Sequence, residues 1–515
     1  MHHTTTRAGA IFAACLIAAG IAASASARQP YLSARPPAPL RYAESSTGLE
    51  SPRWDGGRTI IKLADLNLDG HPDIVTVGDH GSPFINTDMH GITVWFGNGD
   101  GQWTPFQNGN FGYGGVAVGD VNNDGLPDVG WGVHHNYAQP PFGDRVMGVA
   151  LGDGTGRNWT PWDQGLGVNG QTWGMFGTEF ADFNADGRLD IASVSFGCCD
   201  GFHAHLNNGD GTWTRTFGWL GGNSSMDMAV GDVNNDGWPD YAIGHQNGTI
   251  WLGDGAGGFT NGDANLPGGG LVGRRGIHLG EVNGDGFDDF SMVNSQGGVE
   301  VYLQAPNSSQ WINVSDGLPT SGPFQVTRLV DMNGDGRTDL VAFGEGRLVV
   351  WTNEGERNWR PAATFTVPNP GDYAGFVVGD ATHNGRPDIA IVSDQGSIFN
   401  SRNKLQFFRE TTEATRLNIR ITGPPRRRTI REGAAIFIDW LSAVPGNSAS
   451  TVKIELCESG HAGPWVTIAE NLPNSGRAQV RLNVSQYNAD AYLRATVISD
   501  GLSASHIHGP LSILP

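Results

Sequence analysis

Cysteine is scarce. Four occur in 515 residues, Cys15 near the N-terminus and Cys198, Cys199 and Cys457 beyond it, and the first is expected to leave with a cleaved N-terminal segment. Three is odd and spells no disulfide framework, though adjacent Cys198 and Cys199 could pair as a vicinal disulfide or remain two small free thiols. Basic residues are also few: 32 Lys and Arg stand against 52 Asp and Glu, a formal charge of −20. That balance argues against nucleic acid or an anionic membrane as partner. There is no nucleophile elbow, no P-loop and no dinucleotide fingerprint. No helical period is convincing, and beyond the N-terminus no apolar run is long enough to span a bilayer.

The N-terminus carries His2, His3 and Arg7, then an apolar run from Ala8 to Ala23, then Ala25-Ser26-Ala27. This pattern reads as a signal peptide over residues 1–27 with an A-x-A cleavage site, followed by a linker over 28–38. The expected location is secreted, periplasmic or at the cell surface.

What the chain has in abundance is a short acidic loop, seven times over. The clearest copy is Asp331-Met332-Asn333-Gly334-Asp335-Gly336-Arg337-Thr338-Asp339, or D-x-N-x-D-G-x-x-D. Other copies start at Asp65, Asp120, Asp182, Asp232, Glu281 and Asp380, at intervals of 49 to 62 residues. A repeat of this period marks an array of identical supersecondary units. Gly is plentiful, 77 residues, but it falls in turns at every repeat rather than in a linker.

The loop has the donor set of a hard cation. Calcium takes six to eight oxygens from carboxylates, amides and backbone carbonyls. Positions 1, 3, 5 and 9 supply side-chain oxygen, and position 7 offers its carbonyl. The expected ligands are Asp65, Asn67, Asp69, His71 and Asp73; Asp120, Asn122, Asp124, Leu126 and Asp128; Asp182, Asn184, Asp186, Arg188 and Asp190. The later loops add Asp232, Asn234, Asp236, Trp238 and Asp240; Glu281, Asn283, Asp285, Phe287 and Asp289; Asp331, Asn333, Asp335, Arg337 and Asp339. Glycine at position 6 lets the chain turn with positive φ. An EF-hand would need a glutamate at position 12, where Thr76, Trp131, Ser193 and Ile243 stand instead. Asp-Asn-Gly runs are also ordinary turns, but six copies filled at the same positions favour about six calcium sites. The seventh loop, with Asp380, Thr382, Asn384 and Asp388, holds two carboxylates and is expected to bind weakly or not at all.

Each repeat divides into four short strands. In the second these are Gly115–Asp120, Asp128–Val133, Arg145–Leu151 and a strand near Asn158–Trp162, with a second Gly-Asp turn at 152–156. Such units predict an all-β chain: a seven-bladed β-propeller over 39–410 followed by a small β-sandwich over 411–515. The seventh repeat has no fourth strand of its own, and Leu40–Glu44 is expected to supply it and seal the ring. The loops and spacing resemble the VCBS/FG-GAP repeats of integrin α-chain-type propellers. The C-terminal hundred residues, with Trp440 and Trp465, resemble an immunoglobulin or fibronectin type III sandwich. There Arg426-Arg427-Arg428 reads as a solvated turn.

In a propeller the acidic loops share one face, and the opposite face collects the irregular loops. There the sequence places His80, His134, His135, Trp173, Phe176, His245 and Arg274 as candidate ligand-binding residues. Aromatic rings with His and Arg suit a carbohydrate or an extracellular protein. The expected function is therefore binding or adhesion through this face. The alternative is a metal-dependent carbohydrate-active enzyme, of polysaccharide lyase or sugar dehydratase type, using the histidines.

Overall fold

In the computed structural model, residues 39–515 are described except 51–59, 79–90, 109–113, 134–145, 168–174, 196–200, 220–223, 246–247, 268–275, 307–309, 356, 396–402 and 485–486. Residues 38–515 make one compact unit. Among the described residues the chain is all-β save one 3-10 turn at Pro445–Asn447.

Seven four-stranded antiparallel sheets occupy the first four-fifths of this unit. In the first, Lys62–Ala64, Asp73–Gly78, Gly91–Gly97 and Trp103–Asn108 lie side by side in chain order. The second strands are almost uniformly buried, Asp73–Gly78 at all six positions. A strand covered on both faces needs no polar alternation. Here both faces are covered because the sheets pack on one another: Val75 and Val94 of the first meet Val116, Trp131 and Ala150 of the second in one core.

The innermost strands are Lys62–Ala64, Gly114–Gly119, Met175–Ala181, Ser224–Gly231, His278–Gly280, Phe324–Val330 and Asp372–Gly379. Each touches the next in this order, and Asp372–Gly379 touches Lys62–Ala64, so the succession closes into a propeller-like ring. Closure is carried by the strand Tyr42–Glu44. It pairs antiparallel with Asn403–Glu410, Tyr42 facing Glu410, and completes the last sheet. A shared core of Ile74, Trp95 and Trp103 with Val392, Leu405 and Phe407 then joins first sheet to last.

From Asn418 onward two further sheets enclose one core. The smaller has Asn418–Gly423, Ala435–Ala443 and Arg477–Arg481; the larger orders Thr429–Arg431, Leu502–Leu514, Asn488–Ser499, Ser450–Cys457 and Val466–Pro473. The long strand Leu502–Leu514 was not anticipated from sequence, because Gly509-Pro510 interrupts its apolar alternation. Trp440 lies in the core with Nε1 donating to Asn474 Oδ1 at 2.9 Å. Trp465 does not join it; its ring lies under the Arg494 guanidinium at 4.5 Å. The two tryptophans are not a pair.

Candidate functional site

The loops share a hydrogen-bonding plan that is complete at position 1 in the copies starting at Asp65, Asp120, Asp182, Asp232 and Asp380, while Glu281 accepts from positions 3, 4 and 5 and Asp331 from positions 4 and 6. In those five copies the first carboxylate accepts N–H groups from positions 5 and 6: Asp65 takes Asp69 N at 3.1 Å and Gly70 N at 2.8 Å, and Asp120 takes Asp124 N at 3.1 Å and Gly125 N at 2.7 Å. The position 5 aspartate accepts from position 7, as Asp69 does from His71 N at 2.8 Å. The position 3 asparagine donates its amide to position 5, as Asn67 does to Asp69 at 2.8 Å. The sixth residue is glycine with φ between +81° and +97° in every loop, Gly70 and Gly286 among them, where a Cβ would be strained.

The ninth aspartate does something else. Asp73 accepts Leu66 N and Gly97 N, each at 2.9 Å. Asp128, Asp190, Asp240, Asp289, Asp339 and Asp388 repeat this, each tying the second residue of its loop to the last residue of the third strand. All seven have no exposed surface. Burial pushes Asp128 and Asp339 up to about 8, against the opposing pull of these N–H donors. The worn seventh loop has Thr382 in place of the position 3 asparagine and Asn384 in place of the position 5 aspartate, and keeps Asp380 and Asp388. Positions 1 and 9 are thus accounted for by the fold, and positions 3 and 5 carry the cation reading.

Oxygen donors of the right chemistry for calcium are present in each of the six loops. Among the described residues, however, no three His, Cys, Asp or Glu side chains converge tightly enough to hold an ion. What does reach several loops is the C-terminal sandwich. Arg428, expected on a solvated turn, is buried: its guanidinium lies 2.5 Å from Asp288 Oδ1 and 3.6 Å from Asp232 Oδ2, and it donates to Asp232 O at 2.8 Å. Arg420 pairs with Asp331. Asp182 Oδ2 accepts Ala435 N at 2.9 Å, Asp380 Oδ2 accepts Ser442 N at 3.2 Å, and Arg431 donates to Asp236 O at 2.7 Å. Gln479 brackets Asp120, accepting from its N–H and donating to its carbonyl, both at 2.9 Å. The acidic face of the ring is therefore an internal interface. Among the described residues no basic side chain pairs with Asp65, Asp69, Asp120 or Asp124.

Of the residues expected on the opposite face, His80, His134, His135, Trp173 and Arg274 lie outside the described residues, as do Cys198 and Cys199. Phe176 and His245 are described, and both correct the expectation of an open-face role. Phe176 is 6% exposed and packs on Gly114 and Gly115, where a Cβ at Gly115 would strike its carbonyl. His245 ends the strand Asp240–His245 and is 1% exposed. The Phe176 ring is held inside because it packs on the neighbouring inner strand at Gly114. His203 and His205, two apart on one strand and so on one face, are also buried, and burial holds His205 down at about 3.

One site escaped the sequence reading. The inner strands enclose a cavity of about 240 Å³ lined by Lys62, Glu179, Asp227, His278 and Arg328 with Phe376 and aliphatic neighbours. Lys62 Nζ lies 2.5 Å from Glu179 Oε1, and Arg328 Nη1 lies 3.7 Å from Asp227 Oδ2. His278 Nδ1 accepts Leu329 N at 3.2 Å; burial, then the charges of Arg328 and Lys62, keep the ring neutral. The signal was present: Lys62, Glu179, His278 and Arg328 each stand three residues before their loop's first acid.

Three stretches, 63–131, 182–243 and 331–391, match the FG-GAP-like repeat, so the chain carries FG-GAP-like repeats. No curated protein matches it. Among solved structures, similarity extends to the Tc holotoxin pore of Photorhabdus luminescens at 13% identity and TM-score 0.38, over 89% of this chain and 20% of that one. This chain thus spans about a fifth of that chain's length. The allergen Mala s 1 of Malassezia sympodialis aligns at 10% identity and TM-score 0.26, over 74% of this chain and 98% of the allergen. The GH43 β-xylosidase/α-arabinofuranosidase CoXyl43 from a compost microbial metagenome aligns at 11% identity and TM-score 0.31, over 74% and 96%.

Proposed function

We propose that this FG-GAP-repeat chain is an exported, calcium-stabilised binding or adhesion protein with a seven-bladed propeller and an immunoglobulin- or fibronectin-like C-terminal module. Its ligand is a carbohydrate or an extracellular protein, captured on the face opposite the acidic loops. The observation that supports this is the seating of the C-terminal sandwich on those loops through Arg428, Arg420 and Gln479. A face committed to an internal partner is closed to an external one, which leaves the irregular rim for recognition. Calcium is assigned to the loops beginning at Asp65 and Asp120, where carboxylates gather without an arginine. There the ion would neutralise the acids at positions 1 and 5, take the amide oxygen of the position 3 asparagine, and brace the turn between first and second strands.

A glycan array and an immobilised-matrix adhesion assay test the binding reading. A specific signal that falls on Trp173→Ala with unchanged melting is expected. Elemental analysis of the purified protein tests the ion. Calcium at one or more equivalents is expected, whereas stoichiometric zinc or manganese together with turnover of a polysaccharide would replace the binding reading by an enzyme.

A further inference from the structure

The cavity at the centre of the ring is independent of the outer face and of the acidic loops. Its volume, about 240 Å³, far exceeds the ~10–15 Å³ that admits one water, so it has room for a small solute. Its charges are sorted. Going round the ring, Arg328 and Lys62 lie on the two strands flanking Asp372–Gly379, while Glu179 and Asp227 lie on the adjacent strands Met175–Ala181 and Ser224–Gly231. One arc of the wall is cationic and the facing arc anionic.

The pairs across the cavity do not exhaust these groups. Asp227 is 4% exposed, and its Oδ2 accepts no hydrogen bond among the described residues. Arg328 at 3.7 Å is too far to supply one. Arg328 instead spends Nη1 on Thr327 O at 2.8 Å and rests its guanidinium over Phe376 at 5.6 Å. Lys62 has three donors and gives one to Glu179. A buried carboxylate oxygen without a donor is costly. The arrangement is relieved by a molecule that brings a donor cation to the acidic arc and an acceptor anion to the basic arc. Phe376, Val377 and Met228 offer apolar wall for a short side chain.

We propose that the channel is a binding site for a small zwitterion of the α-amino-acid class, its carboxylate held by Arg328 and Lys62 and its ammonium by Asp227 and Glu179. A polyol could fill the same space but would bring no cationic donor to Asp227 Oδ2 and no anionic acceptor to the basic arc. The site does not depend on what the outer face binds.

The test is titration calorimetry on the full-length protein with glycine, L-serine and L-valine. Propionate and propylamine serve as single-charge controls and glucose as the polyol. At least one amino acid is expected to saturate below roughly 10 mM, with the controls silent over the same range. Lys62→Met and Arg328→Met should each weaken it by about tenfold or more, since each removes a charge-assisted contact. Should Arg328→Met fail to fold, Lys62→Met decides, because its side chain is 25% exposed and the easier to replace. The proposal falls if no amino acid binds the wild type. It falls equally if glucose or a single-charge control binds as well, or if affinity survives the folded variants unchanged.

Discussion

The ninth loop aspartate looks in sequence like one more calcium ligand, yet its two oxygens are spent on two backbone N–H groups in all seven sheets, including the worn one. Asp240→Asn keeps the shape but sets an NH2 against a backbone N–H. It should lower unfolding free energy by about 1–3 kcal/mol. Asp69→Asn, in a half-open turn, should cost well under about 1 kcal/mol without an ion. Urea denaturation of both variants in chelator makes the comparison, and equal losses would contradict the assignment. A second residue-scale prediction concerns His508, whose ring is held near 4 by burial and the Arg426 charge, while its Nε2 lies 2.8 Å from Pro424 O. An unfolded histidine near its ordinary 6.5 takes up a proton first. The stability this ring contributes is therefore present above pH 6.5 and lost as pH falls toward about 4. Between pH 7 and pH 5 the wild type should lose more stability than His508→Gln, read from denaturation midpoints at the two pH values.

At the level of elements, the strand pattern was legible almost throughout because its cause is local. Apolar runs of five or six residues bounded by Gly-Asp turns leave little choice, and the second-repeat strands fell within two residues of expectation at their starts. The sealing strand Tyr42–Glu44 was also readable, since its missing counterpart lay at the other end of the repeat array. The basic turn was not. Three arginines beside prolines look solvated, and only the docking of the sandwich buries Arg428 between Asp232 and Asp288. Removing that guanidinium leaves two carboxylates facing each other with little water. Arg428→Met should cost about 3–5 kcal/mol. Arg420→Met, whose side chain is 22% exposed, should cost no more than about 1 kcal/mol after solvent screening. Chemical denaturation distinguishes them, and a loss below about 1 kcal/mol for Arg428→Met would remove the clamp.

On the scale of the whole molecule, the sandwich is bonded to loops from six of the seven sheets. Ring and sandwich should therefore melt together in one calorimetric transition, and the double variant Arg420→Met/Arg428→Met should split it in two. Two transitions in the wild type would show that the interface is not coupling them. The proposed calcium would act on the same scale: a chelator should lower the melting temperature, and Asp69→Ala plus Asp124→Ala should remove most of that shift. A melting curve indifferent to chelator would exclude ions from the loops.

By itself the sequence determined the all-β class, the repeat, the turn chemistry and the closing strand, because each follows from contacts a few residues apart or from a period in the chain. Tertiary structure alone decided that the acidic face is an interface, that Phe176 and His245 are inside, and that four charges meet in the channel. Those facts depend on which residues far apart in sequence become neighbours when seven sheets close a ring and a sandwich settles on it. A residue's type fixes what it could do, and its burial and partners, set by that closure, fix what it does.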